Sequence, residues 1–283
     1  MSASHGCCLQ IALLLLGGVA RAEAPLLPDL QRIADAGKLV VAVVGTAEKP
    51  MVTRDEQGRL AGFDVELARA MVRALDVKAV FRQDAATPDG VVELVARGEA
   101  DLGISLLSVT AQRAKHVLFS RPYATQHATV LIHRTRGLAF QRRCPEEKEI
   151  LALAHEPDEV GVLEKSAYAG RVRDLDAKAR TRKYESLEAL FAAVRQGEVT
   201  MAFAGEIAAR DYLRRQPAAS IRLKLCQVGN ASDSIAIAVR PDAFGLVRWI
   251  DAFLQENDIQ YDAATVAAHE GRWRFGSTAQ PLD

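Results

Sequence analysis

The chain has 283 residues, with 36 basic and 36 acidic side chains and no formal net charge at neutral pH. That balance excludes the broad electrostatic attraction on which nonspecific binding to nucleic acid or to an anionic membrane depends. The apolar run 9–20 is roughly half the ~20 residues that a spanning helix needs, and no later segment is long and apolar enough, so membrane anchorage is not expected.

In chain order, the run from Leu9 to Ala20 ends in the small-x-small triplet Ala20-Arg21-Ala22, the shape of a cleaved export signal covering residues 1–22. The segment before the run is weakly cationic, with His5 its only candidate charge, and a retained tail is the alternative. Cleavage removes one base, Arg21, and no acid, so the balance of the mature chain stays close to neutral. A mature chain of about 260 residues can bury two modest cores. Of the four cysteines, Cys144 and Cys226 remain after cleavage. In an oxidising compartment they form a candidate disulfide, with two free buried thiols as the other reading.

Short apolar runs of strand length then alternate with helical patterns, which predicts an α/β protein with largely parallel sheets. Leu39 to Val44 reads as a buried strand, and Leu67, Ala68, Met71, Val72 and Leu75 form one apolar stripe of a helix. A strand near Ala79 to Phe81, a helix from about Asp89 to Arg97 and a strand from Asp101 to Ser105 follow. The passage Val95-Ala96-Arg97-Gly98-Glu99 leading into a strand recurs as Val194-Arg195-Gln196-Gly197-Glu198 leading into another. Each is a helix, a terminating Gly and a strand, and the spacing suits two related lobes better than a solenoid. Thr125 to His133 reads as a strand leaving the first lobe and Ile235 to Val239 as one returning, which makes two hinge crossings. The remainder, Asp242 to Asn257 and Tyr261 to Trp273, is helical in pattern and is expected to pack on the first lobe. The predicted division is 1–22 signal peptide, 23–133 first part of lobe 1, 134–234 lobe 2, and 235–283 the return to lobe 1 with the C-terminal helices. With two open sheets facing each other, the cleft between the lobes is the default site.

Catalytic constellations are thin. His116, His127, His133, His155 and His269 are scattered, with no i, i+4 pair and no Cys-x-x-Cys, so no zinc site is expected. The chain also lacks a Gly-x-Ser-x-Gly turn and a phosphate-cradling Gly-rich loop, and no cofactor or metal is predicted.

The stretches Gly37-Lys38-Leu39, Gly62-Phe63-Asp64-Val65-Glu66-Leu67-Ala68, Ala100-Asp101-Leu102-Gly103-Ile104-Ser105, Ser108-Val109-Thr110-Ala111-Gln112-Arg113-Ala114 and Phe119-Ser120-Arg121-Pro122-Tyr123 stand in an order and spacing that identify a family. The chain resembles the bacterial extracellular solute-binding proteins of family 3, which serve polar amino-acid ABC transporters. The resemblance implies a two-lobed type II periplasmic-binding-protein fold that closes over its ligand, a periplasmic location, and no catalysis. It also implies a small anionic or zwitterionic solute as ligand, an ABC transporter permease (or a membrane receptor) as partner, and a monomer. It gives Arg113 the ligand's carboxylate, because a guanidinium fork offers two parallel donors to a planar anion and cannot lose its charge. Thr110 could cap the short helix that presents it. Ser105, Leu106 and Ser108 match positions lining the first-lobe side of the pocket. On the second lobe, Lys165-Ser166-Ala167 stands where the family has Gly-Thr-Thr, at a helix N-terminus suited to an anion, with Lys165 either a second anion-binding cation or turned to solvent.

The departures bear on ligand identity. Gly205 stands where the family has an Asp for the ligand's α-ammonium, and Glu48-Lys49-Pro50-Met51 replaces an aromatic turn. Either the ligand has no α-ammonium, or Glu48 or Glu206 receives it from another direction. The amino-terminal half also resembles the secreted cyclohexadienyl dehydratases, but the position of their general acid corresponds to Ala208, with Glu206 two residues away. A sensor that docks on a receptor is the third reading.

Overall fold

The computed structural model describes residues 24–45, 49–157, 159–268 and 275. The segment 1–22 expected to be an export signal, Glu48, His269 and the stretch running to Trp273 lie outside these residues. Two sheets organise the chain. In the first, the order is Lys78–Ala85, Lys38–Val44, Leu102–Gly103, Ala238–Val239 and Leu118–Phe119, with the first three strands parallel and the fourth antiparallel to the third. In the second, the order read from the opposite edge is Arg182–Tyr184, Val160–Leu163, Met201–Gly205, Ala124–His133 and Leu223–Ile235. Again three parallel strands meet an antiparallel fourth. The fourth strand of each sheet is the one that arrives from the other half of the chain, so each crossing ends inside a sheet and ties the halves together.

The repeated helix-Gly-strand passages fall at matching places in these sheets. Gly98 and Gly197 both follow their helices, Pro88–Ala96 and Leu187–Gln196, with positive φ of 71° and 80°. That left-handed conformation is cheap for glycine and ends a helix without strain. The strands that follow each pair in parallel with the opening strand of their own sheet. The Asp101–Ser105 strand is shorter than the sequence suggests, covering only Leu102–Gly103. The helix of the apolar stripe begins earlier, spanning Phe63–Ala74.

A single core fills the first half, built around Leu39, Val41, Phe63, Leu67, Met71 and Val95. The second sheet is covered on both faces, one cluster holding Leu190, Phe191 and Tyr212 and the other Val130, Val160, Phe203 and Cys226. The strand Ala124–His133 pairs along its length within the second sheet, so the residues after the first crossing belong to that sheet and the chain changes halves near Ala124. The C-terminal segment, expected on the first lobe, meets both halves. Ala263 and Val266 share the first-half core and the Tyr261 ring lies 5.6 Å from that of Phe63, while Tyr261–Asp262 is a short parallel strand on Ala124 and Thr125 and the helix Ala263–Ala268 packs against Glu206–Arg215. The reason is apolar: Ile207 of the second half joins Ala263 and Val266 in the cluster that fills the first half, so the tail bridges the two. The helix Phe244–Glu256 does pack on the first half, against Pro28–Ala36. Among the described residues no helix is long and apolar enough to cross a membrane.

Cys144 and Cys226 form a disulfide that closes a loop with a sequence separation of 82. It staples the segment after the short helix Leu138–Phe140 to the outer strand of the second sheet. Closing a loop of that length restricts the unfolded chain, so reduction should lower the unfolding free energy by about 2–4 kcal/mol. Denaturant melts with and without dithiothreitol measure this, and coincident midpoints would refute it.

Candidate ligand cleft between the lobes

Arg113 opens a one-turn helix, Arg113–Lys115, whose start is fixed by the Thr110 hydroxyl accepting the Arg113 amide at 3.2 Å. Its side chain is only 6% exposed. A guanidinium so enclosed needs partners for its N–H groups. Nη1 donates to the carbonyl of Ser108 at 2.9 Å, while Nε and Nη2 donate to the same oxygen of Asp89 at 2.9 and 2.8 Å. Asp89 sits in the first turn of the helix Pro88–Ala96, capped by Thr87, where the dipole favours a negative charge. The fork that the sequence assigns to a ligand carboxylate is thus filled by an internal one, and Asp89 is itself 40% exposed at the cleft mouth.

The two halves touch across this point. The amide of Asp89 donates to the carbonyl of Lys165 at 3.3 Å, in the turn that precedes the second-half helix Ala167–Leu175. Lys165 adopts a left-handed conformation, φ 49°, with its side chain exposed on the cleft. Ser166 caps that helix: its hydroxyl accepts from Ala169 at 3.2 Å and donates to the carbonyl of Leu163 at 2.7 Å. Arg113, Ser108, Ser166 and Tyr168 form the shared wall of two spaces. One is a small space of about 40 Å³ that also meets Leu106, Gly205 and Ala208, and the other a groove of about 830 Å³ that also meets Asp89, Lys165 and Asp233. The smaller volume is that of a few water molecules.

The remaining candidates divide. Ser105 is fully buried and its hydroxyl accepts the Val44 amide at 2.9 Å, so it braces the strand behind the cleft and lines neither space. Leu106 has φ 49°, and its amide donates to Asp64 at 2.9 Å. Burial pushes the Asp64 carboxyl up to about 7, against the hydrogen bonds from Tyr123 and Leu106 that favour its charge. Glu206, the alternative ammonium partner, is turned away. One oxygen accepts from Arg210 Nε at 2.6 Å, and the other accepts the His127 amide at 3.2 Å with His127 Nδ1 at 3.1 Å. Burial would raise its carboxyl, but Arg210 and His127 outweigh that and hold it below the usual range. Glu206 lines neither space, whereas Ala208 lines the smaller one with a methyl group. Among the described residues no cluster of three or more His, Cys, Asp or Glu could hold a metal.

Sequence reasoning missed Asp89, Gln126, Tyr168 and Asp233. A Cβ at Gly205 would lie 2.5 Å from Gln126 Oε1, so Gln126 fills the place of any longer side chain there. Gln126 Oε1 accepts the Ile207 amide at 3.1 Å, and Nε2 donates to Asp233 at 3.0 Å. Little in the sequence marks Gln126, which stands among Thr125, His127 and Thr129; its burial, at 2% exposed, shows only in the fold.

Two sheets of matching strand order, joined by two crossings and facing each other over a charged cleft, define a two-lobed binding protein of the type II periplasmic class. The computed structure superposes on the arginine-bound truncated arginine-binding protein of T. maritima with a TM-score of 0.66, covering 80% of this chain and 99% of that one at 24% identity. The chain belongs to the bacterial extracellular solute-binding proteins, family 3, whose model matches residues 39–268. It is 21% identical to ABC transporter arginine-binding protein 1 of Escherichia coli (strain K12), over 74% of this chain and 81% of that protein. It is 31% identical over 115 residues to cyclohexadienyl dehydratase of Pseudomonas aeruginosa, a match covering 40% of this chain and 41% of the enzyme. The chain likewise spans less than half the length of several other curated relatives that it matches.

Proposed function

We propose that this protein is a periplasmic receptor that captures a small carboxylate-bearing, amino-acid-like solute between its lobes and delivers it to the permease of an ABC importer. The observation that carries the reading is the enclosed guanidinium of Arg113, which lines both spaces of the cleft and whose counter-ion, Asp89, is exposed enough to be exchanged. The solute enters when the lobes part and the Asp89 to Lys165 contact opens. Its carboxylate then takes the fork from Asp89, and closure buries the pair. Hinge closure of this kind is the usual way two-lobed receptors signal occupancy.

A dehydratase reading is disfavoured, because such an enzyme needs a proton donor in the cleft. Ala208 supplies a methyl group there, and both oxygens of Glu206 are held by Arg210 and His127. The test is a thermal-shift screen of the common L-amino acids and small carboxylates on the purified protein. At least one should raise the melting temperature, since a ligand of the folded state alone stabilises by RT ln(1 + [L]/Kd). A screen in which nothing stabilises the protein would refute the reading, as would turnover of prephenate or arogenate.

A further inference from the structure

Asp233 stands in the groove held by hydrogen bonds, with no ion-pair partner among the described residues. Three neutral donors converge on one of its oxygens, Oδ2: the Ser108 hydroxyl at 2.9 Å, the Tyr168 hydroxyl at 2.7 Å and Gln126 Nε2 at 3.0 Å. Among the described residues, no hydrogen bond reaches Oδ1 and no cationic side chain lies within ion-pair distance of the carboxylate. Three neutral donors fix its position without cancelling its charge. The three come from separate places in the chain: the first-half loop at 108, the helix after Ser166 and the crossing strand. The carboxylate therefore takes this surrounding only in the folded, closed arrangement.

Asp233 lines the groove that Arg113 also lines, and Ser108 touches both, its carbonyl accepting from Arg113 and its hydroxyl donating to Asp233. A cation whose partner Asp89 is half-exposed and a fixed carboxylate with no ion pair thus both contact one residue. A guest that buries both needs an anionic group for the first and a cationic group for the second, because an uncompensated charge left under a closing lobe is costly.

We propose that Asp233 is the residue that receives the cationic group of the solute, so that the cleft selects a zwitterion with its ammonium close to its carboxylate over the corresponding simple carboxylate. This deepens the receptor reading above and rests on it. Gln126, occupying the space beside Gly205, acts as a positioning residue that holds the carboxylate of Asp233 in place.

The experiment is isothermal titration calorimetry with four matched pairs: L-glutamine and glutaramate, L-glutamate and glutarate, L-leucine and 4-methylpentanoate, L-arginine and 5-guanidinopentanoate. In the unaltered protein, at least one amino acid should bind more tightly than its deaminated partner. Asp233→Asn keeps an acceptor for Ser108 and Tyr168 but removes the charge. It should weaken that amino acid roughly tenfold or more while leaving the deaminated acid within about threefold. Asp233→Ser serves the same purpose should the amide not fold. Retained amino-acid affinity overturns the proposal, and so does equal loss for both members of a pair, which would mark Asp233 as a latch between the lobes. In either case Arg113→Ala, by still abolishing binding of both members, would leave the receptor reading standing. Failure of the unaltered protein to bind any of the eight compounds would sink both.

Discussion

Replacing Arg113 with Ala should weaken any carboxylate solute by about a hundredfold or more, while changing the melting temperature of the unliganded protein far less. Removing one member of an enclosed charge pair typically costs 2–5 kcal/mol of binding, much of it from the partner charge left unpaired. For the solute, that penalty falls in full, because closure removes its carboxylate from water. For Asp89 it does not, since that side chain is 40% exposed and sits in the first turn of a capped helix, where water and the helix dipole can satisfy it. The guanidinium is held in plane by Ser108 and presents its fork in a fixed direction. Arg113→Lys should therefore recover only part of the affinity, since an ammonium restores the charge but not the paired donors. Calorimetric titration of each variant with a solute that stabilises the unaltered protein is the measurement. Unchanged affinity in Arg113→Ala would show that the anion is held elsewhere.

The second large effect concerns Asp64, whose carboxyl burial pushes from 3.8 up to about 7 while Tyr123 and Leu106 hydrogen-bond to it. The unfolded chain loses this proton near pH 4, whereas the folded protein keeps it to about pH 7. Between those values the folded state binds more protons than the unfolded one, so stability falls as pH rises. The contribution is fully present below pH 4, is lost progressively up to about pH 7, and amounts to roughly 4 kcal/mol for a shift of this size. His133, whose imidazole is held below its ordinary value by burial and by Arg222 and Arg136, acts in the opposite sense in the same window. The Asp64→Asn variant separates the two. Its amide oxygen can still accept from Leu106, and its nitrogen can face Tyr123, but it does not titrate. The unfolding free energy of the unaltered protein minus that of Asp64→Asn should decline from pH 4 to pH 7 and then level. Parallel profiles for the two proteins would rule the assignment out. Because Asp64 holds the Leu106 amide at the cleft wall, solute affinity is expected to follow the same titration.

Much of the architecture is legible in the chain because its causes are local. The apolar stripe Leu67, Ala68, Met71 and Val72 needs only its own spacing to make one face of a helix, and all four are buried. Gly98 and Gly197 end their helices through their own backbone freedom. Where the reading fell short, the cause was distant. The tail after Tyr261 has a helical pattern, but that it bridges both halves depends on Ile207 and the first-half core presenting matching apolar surfaces.

The same division runs through the cleft. Sequence by itself determined the family and the two-lobed fold with its two crossings, and it singled out Arg113 as the candidate cation for an incoming carboxylate, since motifs of adjacent residues carry each. It also showed that Gly205 lacks the side chain expected there. Only the tertiary structure decided that Gln126 fills that space, that Glu206 is bound away to Arg210 and His127, and that Asp89 and Asp233 are among the carboxylates lining the groove beside Arg113. The Ser108 to Asp233 hydrogen bond joins residues 125 positions apart. Side-chain periodicity tells which face of an element a residue occupies, but the charge that meets it across a cleft depends on how two separately folded sheets are set against each other.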